Sequence, residues 1–462
     1  MRIPVLAAVL ATAASLCSAV PANAAAVWEP CDPAPLQCTS VAVPLDHARP
    51  HGAQVSLRVS RLPAGRPADR RGTLVLIPSG PGNTGVARPV TLNLPPEVRD
   101  VYDVVSFDPR GLGGSTLASC ELSLADLGGL NPWPAPDGGI SANVATARRV
   151  AAACAGNGGD LVRSISSRTE VDDLDRIRAA LGERRISYWG ISYGAYVGAA
   201  YATRYPGRTD RVVLDSLGDP DPDRLARGWL ANTAVGAEDR FADFARWAVA
   251  QGMAPDAAAA RELFLSAAAR LDRSPREWVT GNTLREALRG LNTDAGLPRL
   301  GQLVRVASGG PLPAPPQPPP AAALQNLAAV ATATICNDVA WPRPVEDYRR
   351  GVADNRARYP LTAGMPANIT PCAFWPYPPH QPIRITDRGP SNVLLVQNLR
   401  DQATPYAGAL RMREALGRRA VLVSVDAGGH GSYRSSGNAC GDAAVTRYLL
   451  TGTRPATDVL CR

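Results

Sequence analysis

"ISYWGISYGAYVGAAYATRY", Ile186 to Tyr205, sets a short β-type run before a serine flanked by glycines, and a stretch of small and apolar residues after it. The first five residues suit a strand, and the run from Tyr193 suits a helix packed on a sheet. Gly190 and Gly194 keep Cβ atoms out of the crowded turn between them. Alone, G-x-S-x-G is short enough to arise by chance. In a strand, sharp turn, helix context it predicts Ser192 at the tip of a strained turn on an α/β sheet.

The rest of the chain supplies such a sheet. Apolar, β-branched runs fall at residues 39–43, 55–62, 73–77, 101–107, 186–189, 211–214, 393–397 and 421–425, which predicts eight strands. The first two alternate as an antiparallel edge does, and most of the others are nearly continuous, as in strands buried on both faces of a parallel sheet. Between the fourth and fifth, "TEVDDLDRIRAALG" places Val171, Leu174, Ile177, Arg178 and Leu181 at helical spacing. Strands interleaved with helices predict an α/β fold.

From Leu214 to Val393 the β series stops and Ala-rich helical stretches take over, with a proline tract, "GPLPAPPQPPPAAA", read as a stiff surface connector. So long a run is no loop. It predicts an inserted, mainly helical cap at 218–385, between core segments 25–217 and 386–462. The N-terminus has one early Arg, an apolar run and Ala22-Asn23-Ala24, the layout of a cleaved export signal over 1–24. No later run is long and charge-free enough to span a membrane, so a soluble, exported product is expected.

Without Cys17, eight cysteines remain: Cys31, Cys38, Cys120, Cys154, Cys336, Cys372, Cys440 and Cys461. An even count in an exported chain points to disulfides, although eight allow 105 pairings. Sequential pairing is the expectation, since each bond then closes a fairly short loop. No C-x-x-C spacing suggests structural zinc, and neither metal nor cofactor is expected. The net charge of +8 comes from arginines scattered among acids, which reads as a solvated basic surface and not as a nucleic-acid site. The chain contains no lysine. That excludes Schiff-base chemistry, Ser-Lys dyads and P-loop nucleotide binding.

A serine hydroxyl needs a base to take its proton. Of the four histidines, His47, His51 and His380 sit in polar or Pro-rich turns and read as surface residues. His430 stands in "VDAGGHGSY" after the last strand and is the candidate base. The group that orients its ring is expected at Asp401, in "NLRDQATPY" after the penultimate strand, with Asp215 after "RVVLD" as the rival. Asp401 completes a Ser, Asp, His order, one residue after each of three strands. Oxyanion donors are expected from the backbone of Tyr193 and of Gly80, in the turn "LVLIPSGPGNTG". Asp108 and Arg110, in "FDPRGLGGS", read as residues that hold loops together.

The series "PSGPGNTG", "VVSFDPRGLGGS", "YWGISYGAYVGAAYATRYP", "RVVLDS", "NLRDQATPY" and "GGHG" resembles the α/β-hydrolase fold. With "ICNDVAWP" and "PCAFWP" it is similar, more narrowly, to the exported tripeptidyl aminopeptidase and prolyl-aminopeptidase-like serine peptidases of actinobacteria, from about Val27 to Cys461. The resemblance implies the same Ser192, Asp401 and His430, and release of short peptides or single residues from a free N-terminus. It departs in one place, where Ser79 replaces the first glycine of the family's G-G-P-G loop. A desolvated substrate ammonium needs a paired carboxylate, for which Glu238, Asp239, Asp243 and Asp338 are the cap's candidates. An esterase or lipase on the same scaffold, and a binding protein without chemistry, are the competing functions.

Overall fold

The computed structural model describes residues 27–128, 131–317 and 319–462, so the expected leader, 1–24, lies outside the described residues. Among the described residues ten strands form one sheet: β1 (Glu29–Pro30), β2 (Gln37–Pro44), β3 (Gln54–Leu62), β4 (Gly72–Ile77), β5 (Tyr102–Phe107), β6 (Ile186–Ile191), β7 (Thr209–Asp215), β8 (Val393–Arg400), β9 (Ala420–Gly428) and β10 (Val459–Cys461). Their spatial order is β1-β2-β3-β5-β4-β6-β7-β8-β9-β10. The pairs β1·β2, β2·β3 and β3·β5 are antiparallel and the rest parallel. The two strands beyond the predicted eight, β1 and β10, have only two and three residues, too few to show a period. Val101, assigned to a strand from sequence, instead ends the helix Pro96–Val101.

Alternate residues of one strand enter different cores, which is why the central strands read as continuous apolar runs. In β4, Val75 and Ile77 join Tyr188, Val212 and Leu395 on one face, whereas Leu74 and Leu76 join Trp189, Val213 and Val396 on the other. On the first face lie α1 (Ser167–Ala180), which buries Val171, Leu174 and Ile177, and α2 (Tyr193–Arg204). The Ser166 hydroxyl caps α1 by accepting from the Thr169 N–H.

After β7 the chain runs through α3 (Leu225–Ala250) and the helices Ala257–Arg273, Gly281–Arg289 and Leu297–Val306. α4 (Ala321–Asp338) and the helix Val345–Arg358 follow before β8. Phe241, Phe244, Phe264, Leu284, Leu300 and Val304 give the first four of these helices a core of their own. No described helix is long and apolar enough to cross a membrane. Four cysteine pairs stand at bonding distance: 31–38 and 440–461, which tie down the strands at the sheet's ends, and 120–154 and 336–372.

Candidate functional site

Ser192 sits between β6 and α2 with φ 62° and ψ −123°, a backbone state that L side chains rarely adopt and that costs on the order of 1–3 kcal/mol. Its surroundings enforce it. A Cβ on Gly190 would lie 2.2 Å from the Gly194 carbonyl oxygen, and one on Gly194 would lie 2.6 Å from that of Pro78. The two glycines let the turn close on itself and seat α2 against the end of β4. The Ser192 N–H donates to the Asp215 carbonyl at 2.9 Å, which ties the turn to the neighbouring strand.

His430 follows β9. Its Nδ1 lies 2.9 and 3.0 Å from the Asp401 carboxylate oxygens, and this carboxylate also accepts from the Ala403 and Thr404 N–H groups and from the Thr404 hydroxyl at 2.8–2.9 Å. Burial disfavours the Asp401 anion, but His430 and these donors outweigh it and hold the carboxyl below its ordinary range. Burial likewise acts to lower the imidazole's pKa, and the charge and hydrogen bond of Asp401 reverse that and raise it. Nδ1 makes all of the ring's hydrogen bonds among the described residues, so Nε2 is uncommitted; so is the Ser192 hydroxyl.

Asp215 acts on both loops at once. While its carbonyl holds Ser192, its buried carboxylate accepts from the N–H groups of Ser432 (2.8 Å) and Tyr433 (3.0 Å), just beyond His430. Burial pushes this carboxyl up to about 6 against those donors. The next residue, Ser216, accepts from the Gly431 N–H at 2.8 Å, and Asn398 donates to the Gly429 and Gly431 carbonyls. The helical insertion completes the clamp, because the Asn292 carbonyl accepts from the His430 N–H at 3.0 Å and its amide oxygen accepts from Gln402. Among the described residues Asp215 makes no hydrogen bond to the imidazole. It ties together the two backbone turns that carry Ser192 and His430, a role that sequence order does not display.

Beyond β4, Gly80 has φ +127°, which a side chain would strain. Its neighbour Ser79 accepts from Arg88 at 2.6 Å and from the Asn83 amide at 3.2 Å. The serine that departs from the usual glycine thus carries a brace within the loop. Arg88 makes no ion pair among the described residues, and burial lowers its pKa to about 10. The other expected donor, the Tyr193 N–H, opens α2, where the first N–H groups have no intrahelical acceptor.

Other expectations fare unevenly. Asp108 accepts from Gly85, Val86 and Gly114, and Arg110 grips Asp173 at 2.6 and 2.8 Å while donating to the Pro44 and Leu45 carbonyls; both hold loops. His47, read as a surface residue, instead meets Asp173 at 2.7 Å with its side chain 16% exposed. His380 makes a ring contact to the Arg163 carbonyl. Of the four acids expected to meet a substrate ammonium, Glu238 is held by Arg261 and Asp243 by Arg240, Arg246 and Arg400, so neither is free. Arg240 and Arg246 stand three residues either side of Asp243 on one helix, whereas Arg261 and Arg400 come from other elements, which helical spacing does not reveal. Asp239 makes no side-chain contact of this kind among the described residues, and Asp338 lies buried against the start of α1. Glu170, also buried there, was missed: a glutamate in a charged helical run carries no signal of burial.

Residues 359–461 match the family model of the TAP-like proteins. The tripeptidyl aminopeptidase of Streptomyces lividans is 31% identical, across 98% of this chain and 89% of its own. The serine protease Hip1 of Mycobacterium tuberculosis is 29% identical across 94% of this chain and 90% of its own. Carboxylesterase B of the same species is 29% identical across 92% and 86%.

Proposed function

The chain belongs to the tripeptidyl aminopeptidase-like family of α/β-hydrolase serine peptidases, and on that premise we propose that it is an exported exopeptidase releasing tripeptides or other short N-terminal units through an acyl-enzyme. The observation that carries this is the Asp401–His430 contact on the same sheet edge as the strained Ser192. The Ser192 hydroxyl attacks the scissile carbonyl and His430 Nε2 takes its proton. The N–H groups of Tyr193 and Gly80 hold the oxyanion, and the imidazolium protonates the leaving amine. Water then repeats the sequence on the ester and frees the peptide.

Residues 25–217 and 386–462 form the catalytic core in this proposal, and 218–385 the cap that limits how much peptide enters. Export is supported by the leader-like N-terminus and four cysteine pairs at bonding distance. Among the cap acids, Asp239 and Asp338 remain for the substrate's ammonium. The likeness to carboxylesterase B keeps ester hydrolysis as the second reading.

The test compares a tripeptide p-nitroanilide with a free amine, its N-acetylated form and a p-nitrophenyl ester. Preference for the free amine is expected. Indifference to acetylation, with the ester cleaved faster, would favour the esterase. Ser192→Ala should fold and lose both turnover and fluorophosphonate labelling; labelling that persists there, or fails in the wild type, would refute the nucleophile.

A further inference from the structure

The hydroxyl of Tyr193, the residue after Ser192, donates to Glu170 Oε2 at 2.9 Å on the first turn of α1. Asp338, the last residue of α4, reaches the same turn, where its Oδ1 accepts from the Ser167 N–H at 2.9 Å. These bonds use one oxygen of each carboxyl. Glu170 Oε1, Asp338 Oδ2 and the Ser167 hydroxyl are buried without a hydrogen-bond partner. Glu170 is 8% and Asp338 1% exposed.

Unpaired carboxyl oxygens at such depth are costly and call for a missing donor. Among the described residues no cation supplies it: the nearby Arg110 is committed to Asp173, which also holds His47. Burial, aided by Asp173 and Asp338, pushes Glu170 up to about 8 against the pull of the Tyr193 hydroxyl, and burial lifts Asp338 to about 7. The cluster adjoins the candidate site on two sides. Tyr193 and Tyr196 pack edge-on against Trp229 of α3, with ring centres 6.2 and 5.4 Å apart. α4 crosses the oxyanion turn so closely that a Cβ on Gly82 would lie 3.1 Å from the Leu327 carbonyl oxygen.

We propose that Glu170 and Asp338, with Ser167 and the Tyr193 hydroxyl, form a subsite for a positively charged group of the peptide substrate. Resting on the peptidase reading, it goes further by placing the cation beside the residue that follows the nucleophile. Two parts of a peptide share this chemistry, the N-terminal ammonium and a lysine or arginine side chain. Either would bring N–H donors to the orphaned oxygens and ionise both carboxyls.

The experiment uses the full mature chain and the isosteric variants Glu170→Gln and Asp338→Asn, with Asp239→Asn for comparison. Two substrate ratios are read as kcat/KM: free-amine against N-acetylated Ala-Ala-Leu p-nitroanilide, and acetylated Ala-Ala-Lys against its norleucine counterpart. One ratio should fall about tenfold in Glu170→Gln and Asp338→Asn, mainly through KM. A fall in the first ratio assigns the N-terminal ammonium, and in the second the side chain. Both ratios unchanged in variants that still label with fluorophosphonate, or a fall in Asp239→Asn alone, overturns the proposal and leaves the orphaned oxygens to buried water.

Should either variant fail to fold, wild-type protein decides. The same peptides as amides are tested as competitive inhibitors of p-nitrophenyl butyrate hydrolysis from pH 6 to 8. Cation-bearing peptides should bind tighter as the carboxyls ionise, and a flat profile refutes the subsite. Because this readout needs no amide cleavage, a chain that binds the cationic peptides yet cleaves none would sink the peptidase reading alone.

Discussion

Replacing Asp401 by Asn should cost about 10⁴-fold in kcat/KM, on the order of 5.5 kcal/mol of transition-state stabilisation, while leaving the fold intact. The direction follows from how the carboxylate is used. Its Oδ1 accepts from the Ala403 and Thr404 N–H groups, and its Oδ2 from the Thr404 hydroxyl, with His430 Nδ1 within reach of both. An asparagine oxygen stays with the two backbone donors, because an amide NH₂ there would strand them at about 1–3 kcal/mol each. The NH₂ then points at Nδ1, which must accept. The ring proton moves to Nε2, and the atom that should take the Ser192 proton already carries one. Asp215→Asn places its fault elsewhere: it strands donors on Ser432 or Tyr433, loosens the loop and lowers thermal stability by about 1–3 kcal/mol, with the tautomer unchanged. Steady-state turnover of the preferred ester or anilide, beside a melting curve, separates the two. If Asp401→Asn kept a tenth of the activity, or Asp215→Asn matched its loss with an unchanged melting curve, the assignment of the acid would be wrong.

In a pH profile of kcat/KM, activity should rise with a midpoint above the ordinary histidine value of about 6.5, because Asp401 raises the His430 pKa and only the neutral ring accepts a proton. The stability that the raised His430 pKa contributes runs the other way, present in full below the unfolded imidazole value and lost as pH climbs through the raised one, which melting curves between pH 5 and 9 check. Arg88→Met, which removes the brace on Ser79, should lower kcat about tenfold with little change in KM; an equal rise in KM would mean that Arg88 contacts substrate instead. Cys440→Ser with Cys461→Ser opens a 21-residue loop and should cost about 3 kcal/mol by denaturant unfolding, whereas an unchanged midpoint would show that the pair does not constrain the unfolded chain.

Periodicity and local context carried the sheet, the elbow and the order of the three candidate residues. Each depends on a few consecutive residues: a strand buried on both faces must be apolar throughout, as β4 is, and the elbow needs glycine where Gly190 and Gly194 face backbone oxygens. β1 and β10 were too short for such a pattern. Helical spacing is blind to Arg261 and Arg400, which reach Glu238 and Asp243 from other elements, although it does show Arg240 and Arg246 three residues either side of Asp243.

From the chain alone came the fold class, an inserted helical segment, and Ser192, Asp401 and His430 as the residues to watch, because local backbone geometry and burial leave their mark in neighbouring residues. Folding decided which acid faces the imidazole, that Asp215 fastens the two loops, and that Glu170 and Asp338 end side by side with oxygens unpaired. Those outcomes depend on which distant segments are pressed together, and no short-range pattern encodes the partner of a charge that lies more than a hundred residues away.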